Sequence, residues 1–401
     1  MLNLILVFIL LYGPKFGMFG FDFISFACIV TLIIHHKHIG KAIYTMPIFL
    51  GALTTVYVLA VLLLNGVTDW WWIWRMPRYL LNVGACFVLV YAMNIRGRGV
   101  DLLAYIFFAA VIHSSIVIAQ LFSADVNSFL IGILDNYQES DIRYSGLVRG
   151  LTPPSFVMAT SIGIGYYCYI KDRIGWQFLL IGATIIFFAC LVMGRAGLYL
   201  GFMTSILLIG YIELYERRLA KTLILASMVF TACVILVIFI DDLPTDPRII
   251  SSFKYGLEPF YNYIHIGELY SSSIQDFQQH GLIFHNNTFT QYIFGTGLYG
   301  RGDASTHLPT DIAYAHMFSA FGLLGIILIT GSVASMLHVK KTITKSYRFL
   351  FALMFFSTVC VFILNYKETT LLTRHITSLL AFLWSTMHFM GSYHASPSPK
   401  K

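Results

Sequence analysis

The sequence predicts an all-α, polytopic membrane protein, and three observations carry that reading. Of its 401 residues, 58% are hydrophobic and 11% are charged, about half the charged share of a soluble domain. The mean hydropathy is +0.75. The apolar residues are gathered into runs close to the roughly 17–25 residues a helix needs to cross a bilayer, with short charged stretches between them.

Taken in order, these runs fall near 18–34, 44–64, 79–94, 102–122, 155–170, 176–193, 197–214, 222–240, 310–338, 349–365 and 371–392. A weaker opening run at 2–12 brings the expectation to about twelve spans in a single membrane domain, 1–401. The opener has no basic stretch before it and no Ala-x-Ala site, so it is expected to be a retained short span. The six cysteines, Cys28, Cys86, Cys168, Cys190, Cys233 and Cys360, all lie inside apolar runs. That placement offers neither a disulfide framework nor zinc spacing, and fits small buried residues. No cofactor or metal is expected.

The net charge of +7 fits membrane topology rather than nucleic-acid binding. With the N-terminus inside, the inner loops hold fifteen Lys and Arg against four Asp and Glu, leaving eleven basic and fifteen acidic residues outside. That is the positive-inside pattern. Both termini are therefore expected in the cytoplasm, with two long loops, 123–154 and 241–308, facing outward. The tail, 394–401, ends Ser-Pro-Ser-Pro-Lys-Lys. It is too polar and Pro-rich to pack and is expected to be disordered.

Much of the ionisable chemistry lies in 241–308, where lipid does not penalise it as it would inside a span. Three cations sit where positive charge is normally avoided: Arg143 and Arg149 in the first outer loop, and Arg195 in the Gly194-Arg195-Ala196-Gly197 turn. Such arginines either hold an anionic ligand, or snorkel to headgroups or pair within the protein. For Arg195 the flanking glycines, which admit close approach, favour the ligand. The first loop closes on Thr152-Pro153-Pro154-Ser155, a rigid helix entry whose free N–H groups would suit an anion, or plain loop punctuation. Within Phe129–Leu134 a short interfacial element is expected. Further on, Gly295, Gly297, Gly300 and Gly302 make a compact turn around Tyr299 and Arg301, ending at Asp303. Asp311 and Tyr314 share a face at the mouth of the following helix, where Asp311 is equally placed to cap the helix dipole.

Taken together, these segments resemble the O-antigen/exopolysaccharide polymerase (Wzy) family, which is related to the O-antigen ligases. The likeness is carried by the Gly-Arg-Ala-Gly turn at 194–197, Glu258-Pro259-Phe260 with Asn262, Phe294-Gly295-Thr296-Gly297 with its tyrosine, and Thr310-Asp311-Ile312-Ala313-Tyr314 running to Phe321-Gly322-Leu323-Leu324-Gly325. Arg143 to Ser155 is similar to the family's arginine-glycine-proline entry to a span. The likeness covers roughly 141–325. The ligase branch places a His-Asn pair before the Gly-Leu-Leu-Gly helix, where this chain has Thr310-Asp311; its own pair, His285-Asn286, lies well upstream.

The resemblance implies a GT-C-like frame in the bacterial inner membrane that transfers a growing glycan between undecaprenyl-pyrophosphate-linked oligosaccharides. Arginines suit the pyrophosphate because the guanidinium fork binds its oxygens in pairs, and the acceptor hydroxyl needs a base. The implied pyrophosphate set is Arg195, Arg143, Arg149 and Arg301. The candidate bases are Asp311, His307, Asp303 and Glu258. Tyr255, Tyr261, Tyr299 and Tyr314 are placed to stack on sugars or to pack the loop. Membrane lipids, a chain-length regulator and a flippase are the implied partners, with no nucleic acid. A ligase acting on lipid A–core, a flippase for the same lipid-linked oligosaccharide, and a structural subunit of an export assembly are the rival readings.

Overall fold

The computed structural model describes residues 2–16, 21–67, 70–99, 101–134, 143–148, 151–216, 237–242, 246–267, 288–298, 312–338, 345–367 and 370–393. The chain opens with α1 (Leu2–Tyr12), a two-residue antiparallel ladder of β1 (Lys15–Phe16) with β2 (Phe21–Asp22), and α2 (Phe23–Ile34). A tight turn at His36–His38 leads to α3 (Ile39–Ile43), followed by α4 (Met46–Leu64), α5 (Trp70–Ile95), α6 (Asp101–Phe122) and α7 (Ala124–Ile133). Then come α8 (Thr152–Ile170), α9 (Trp176–Met193), α10 (Arg195–Glu216), α11 (Pro247–Gly256), α12 (Glu258–Ile266) and α13 (Phe289–Phe294). The last three are α14 (Ala313–Ala334), α15 (Lys345–Lys367) and α16 (Arg374–Tyr393).

Local chemistry explains several of the boundaries. The Ser123 hydroxyl accepts the Val126 N–H at 3.3 Å and caps α7. Asp246 caps α11 by accepting the Arg248 N–H at 2.8 Å, with Pro247 pre-set at the first helical position. Gly267 ends α12 with φ 83°, and a reciprocal capping box between Thr288 and Gln291 starts α13. Both long loops therefore contain helices.

Among the described residues, seven helices are long and apolar enough to cross a membrane, or eight if α2 and the segment His36–Ile43, bent by 80°, form one span. About twelve spans were expected, and the runs beyond these are short, bent, less apolar or outside the described residues. The 18–34 run is helical only from Phe23 and bends after Ile34. The opener α1 has 11 residues, too few to cross alone. The 155–170 and 371–392 runs are helical, as α8 and α16, and largely buried. Their buried Thr152, Ser155, Thr160 and Ser161, and His375, Thr377, Ser378 and Ser385, make them less apolar than a lipid-facing helix. Most of 222–240 lies outside the described residues, as does the 394–401 tail.

The chain forms two compact units, one built from 1–24, 100–271 and 348–360, the other from 25–99, 272–347 and 361–401. In the first, α8 is the axis, wrapped by α6, α9 and α10, with α1 laid on α6. Its closest seam is with α10, where Gly197, Gly201 and Ser205 meet Ser155, Ala159 and Gly163. A Cβ on Gly201 would stand 2.6 Å from Ala159 Cβ. The Ser205 hydroxyl donates to Ala159 O at 2.7 Å and accepts the Gly163 N–H at 2.9 Å. Small residues four apart let two backbones approach in lipid, where dispersion and interhelical hydrogen bonds must replace the hydrophobic effect.

In the second unit, α16 packs along α5, and α4 packs between α5 and α14. α14 is interrupted at Gly322, whose φ of 62° and ψ of −169° leave the helix. The break frees three carbonyls, and each finds a new donor. Ser319 O accepts the Thr296 N–H and hydroxyl, both at 2.9 Å, Ala320 O accepts the Gly297 N–H at 2.8 Å, and Phe321 O accepts the Tyr57 hydroxyl at 2.8 Å. Non-helical backbone at membrane depth persists only when satisfied in this way.

Candidate functional site

In the first unit the corner between α9 and α10 is fixed by two glycines. Gly194 ends α9 in an extended conformation, φ −145° and ψ 112°, and α10 begins at Arg195. A Cβ on Gly194 would lie 2.9 Å from Leu151 C and Thr152 Cα, and one on Gly197 would lie 2.8 Å from Phe156 N. The corner is thus pressed onto the first turn of α8, and the Ser155 hydroxyl donates to Gly194 O at 3.1 Å. That turn is rigid, but it is a poor cradle for an anion: Pro153 and Pro154 have no N–H, and the Ser155 N–H is given to Leu151 O at 3.2 Å.

Two further segments converge on the corner. The Tyr144 N–H donates to Val192 O at 3.2 Å, which lays 143–148 against the end of α9. Gly146, with φ 63°, turns this segment over His113, and its N–H donates to Gln120 Oε1 at 2.9 Å. From the other side, Gly256 lets α11 end against the Leu191 carbonyl, where the Tyr199 hydroxyl donates to Gly256 O at 2.6 Å. Phe253 and Phe188 meet with ring centres 6.0 Å apart.

The result is a cluster of four residues. The guanidinium carbons of Arg143 and Arg195 lie 4.3 Å and 4.2 Å from the centre of the Tyr255 ring. Each such contact is worth about 0.5–2 kcal/mol. Arg195 also forms an ion pair with Glu258. Its side chain is only 9% exposed, so a charge-bearing group has been drawn inside with its counter-ion. Arg143, Arg195, Tyr255 and Glu258, scattered in the sequence, are brought together here. Tyr255, expected to meet a sugar, is engaged by two cations.

A second polar group borders this cluster. Asp241 pairs with Lys254 and accepts the Tyr261 hydroxyl at 2.8 Å. The Lys254 ammonium lies 4.8 Å from the centre of the Tyr261 ring. The Lys254 hydrogen bond, followed by that of Tyr261, holds the Asp241 carboxyl below its usual range, and Asp241 raises Lys254 in return. Tyr314 belongs to the second unit, where its hydroxyl donates to Phe362 O at 3.1 Å. Arg149, Tyr299, Arg301, Asp303, His307 and Asp311 lie outside the described residues.

Sequence reasoning missed Tyr199 and Lys254. Tyr199 follows Arg195 by one helical turn on the same face, a spacing that carried a usable signal. The Lys254–Asp241 pair had none, since nothing local links the two. Among the described residues no group of three or more His, Cys, Asp and Glu side chains is placed to hold a metal ion. Compared with known proteins, the chain matches no family model and no curated protein.

Proposed function

We propose that the chain is a membrane-embedded glycosyltransferase that polymerises undecaprenyl-pyrophosphate-linked repeat units at the outer face of the bacterial inner membrane. One observation carries the reading: Arg143 and Arg195 share the Tyr255 ring at a corner between two apolar helices, with the Glu258 carboxylate beside them. Paired guanidinium groups suit a pyrophosphate, because their planar forks match its oxygens and remain charged when partly desolvated. The leaving group is already good. Catalysis then needs only stabilisation of the departing charge and a proton acceptor for the incoming hydroxyl. On this reading Arg149 and Arg301 extend the cation set, and Asp311, His307 and Asp303 compete with Glu258 as the base.

A flippase for the same lipid draws support from the break in α14, since discontinuous helices are common at transport sites. The three carbonyls freed there are all bonded within the protein, which favours a structural role for the break. Reconstitution separates the readings. The purified chain in liposomes, given lipid-linked repeat units, should yield a ladder of lipid-linked oligomers. Arg195→Lys, which keeps the charge and removes the fork, should lower the rate by tenfold or more. Glycan transfer only after lipid A–core is added would mark a ligase, and translocation without bond formation would mark a flippase.

A further inference from the structure

Arg195 and Glu258 are unequally sheltered. The arginine side chain is 9% exposed and the glutamate side chain 25%. The glutamate is therefore the less sheltered side chain of the pair, although its oxygen facing Arg195 is itself covered. Glu258 opens α12, two residues past Gly256, where α11 stops. Its position thus depends on a joint between two short helices rather than on the packed seam that fixes Arg195.

We infer that Glu258 is the resident counter-ion of Arg195, displaced by the phosphate oxygens of the ligand and released by that exchange to act as proton acceptor. The inference rests on the transferase reading above. A pyrophosphate offers more charge and more oxygens than one carboxylate, and it can engage Arg195 and Arg143 together, so it wins the guanidinium fork. While paired, Glu258 is a weak base, because the adjacent cation favours its ionised form; once the ligand neutralises that cation, its proton affinity rises. The base becomes effective only when the donor is bound. Glu258 then takes the proton of the acceptor hydroxyl as that oxygen bonds to the donor's anomeric carbon. The bond from this carbon to the pyrophosphate oxygen breaks, and its electron pair leaves with the lipid pyrophosphate.

The test is a titration of inorganic pyrophosphate into the full chain in lipid nanodiscs, paired with the oligomer-ladder assay. Glu258→Gln removes the competitor, so pyrophosphate should bind at least fivefold more tightly, while chain extension falls at least a hundredfold. A carboxylate with a purely structural role predicts that both fall together. Unchanged or weaker binding in Glu258→Gln overturns the exchange, and full chain extension overturns the role as base. If that variant does not fold, wild-type protein with isotope-labelled glutamate gives the answer by infrared difference spectroscopy. Pyrophosphate should shift a carboxylate band that moves in Glu258→Asp; an unshifted band overturns the inference. Tighter binding in Glu258→Gln with no polymer from either protein would leave the ion exchange standing and sink the polymerase reading. Polymer from wild type with unchanged binding would sink the exchange alone.

Discussion

Gly197→Ala tests whether the seam between α8 and α10 holds the arginine corner in place. The added methyl would lie 2.8 Å from Phe156 N and 3.0 Å from Ser155 Cβ, and closer still to Thr152 O. Ordinary carbon contacts fall at about 3.5–4.0 Å. The neighbours are mostly backbone atoms of α8 and cannot rotate away, so the two helices must part by roughly 1 Å. Overpacking of this kind costs about 1–3 kcal/mol, and a rigid backbone neighbour places Gly197 at the upper end. Better helix propensity returns about 1 kcal/mol. The net loss is about 2 kcal/mol, or ~30-fold in the unfolding equilibrium. Gly210→Ala, on the same helix with nothing within 4 Å of its new methyl, should instead be neutral or gain up to about 1 kcal/mol. Reversible unfolding in mixed dodecyl maltoside–dodecyl sulfate micelles, followed by tryptophan fluorescence, compares the two. Equal stability for the two variants would refute the close approach at Gly197.

Three other outcomes are expected. Tyr199→Phe removes the 2.6 Å hydrogen bond to Gly256 O and should loosen the end of α11 by about 1 kcal/mol, read as faster amide exchange over 247–256. Gly322→Ala forces a Cβ onto φ 62° and against Gly295 N at 2.6 Å, so folded yield and thermal stability should drop by at least about 2 kcal/mol; unchanged stability would mean that α14 is continuous. Asp241 is held below its usual value and Lys254 above its own, so their contribution is complete between roughly pH 5 and pH 10. It is lost as pH falls through the folded Asp241 value or rises through the folded Lys254 value. Carbon-13 NMR of the two side chains reads this directly, and ordinary titration of both would refute the pairing.

The lengths of the helices were legible in the sequence because the property that sets them is local. The run 176–193 coincides with α9, and 102–122 differs from α6 by the single residue Asp101, which the helix dipole favours in its first turn. Breaks were harder to see. An isolated Gly costs a helix only about 1 kcal/mol, so nothing in Phe321-Gly322-Leu323 distinguishes an interruption from a tolerated glycine. What decides it is the irregular segment 295–297, whose N–H groups meet the freed carbonyls and which lies elsewhere in the sequence. The same holds for the candidate site. Arg195 stood out because glycines flank it, whereas its pairing with Glu258 depends on α11 docking through Gly256 against Leu191 of α9 and Tyr199 of α10. The order of the residues along the chain does not reveal that contact.

The interruption in α14 also bears on how the protein is made. Tyr57 and the 294–297 segment precede α14 in the chain, so the donors for Ser319, Ala320 and Phe321 have been synthesised before those carbonyls leave the ribosome. The span can enter the bilayer with its mates already waiting, and the interval during which bare carbonyls face hydrocarbon stays short. A circular permutant that placed α14 ahead of these donors would encode every native contact yet expose the carbonyls throughout insertion. Its defect would appear in membrane integration rather than in the stability of whatever protein succeeded in folding.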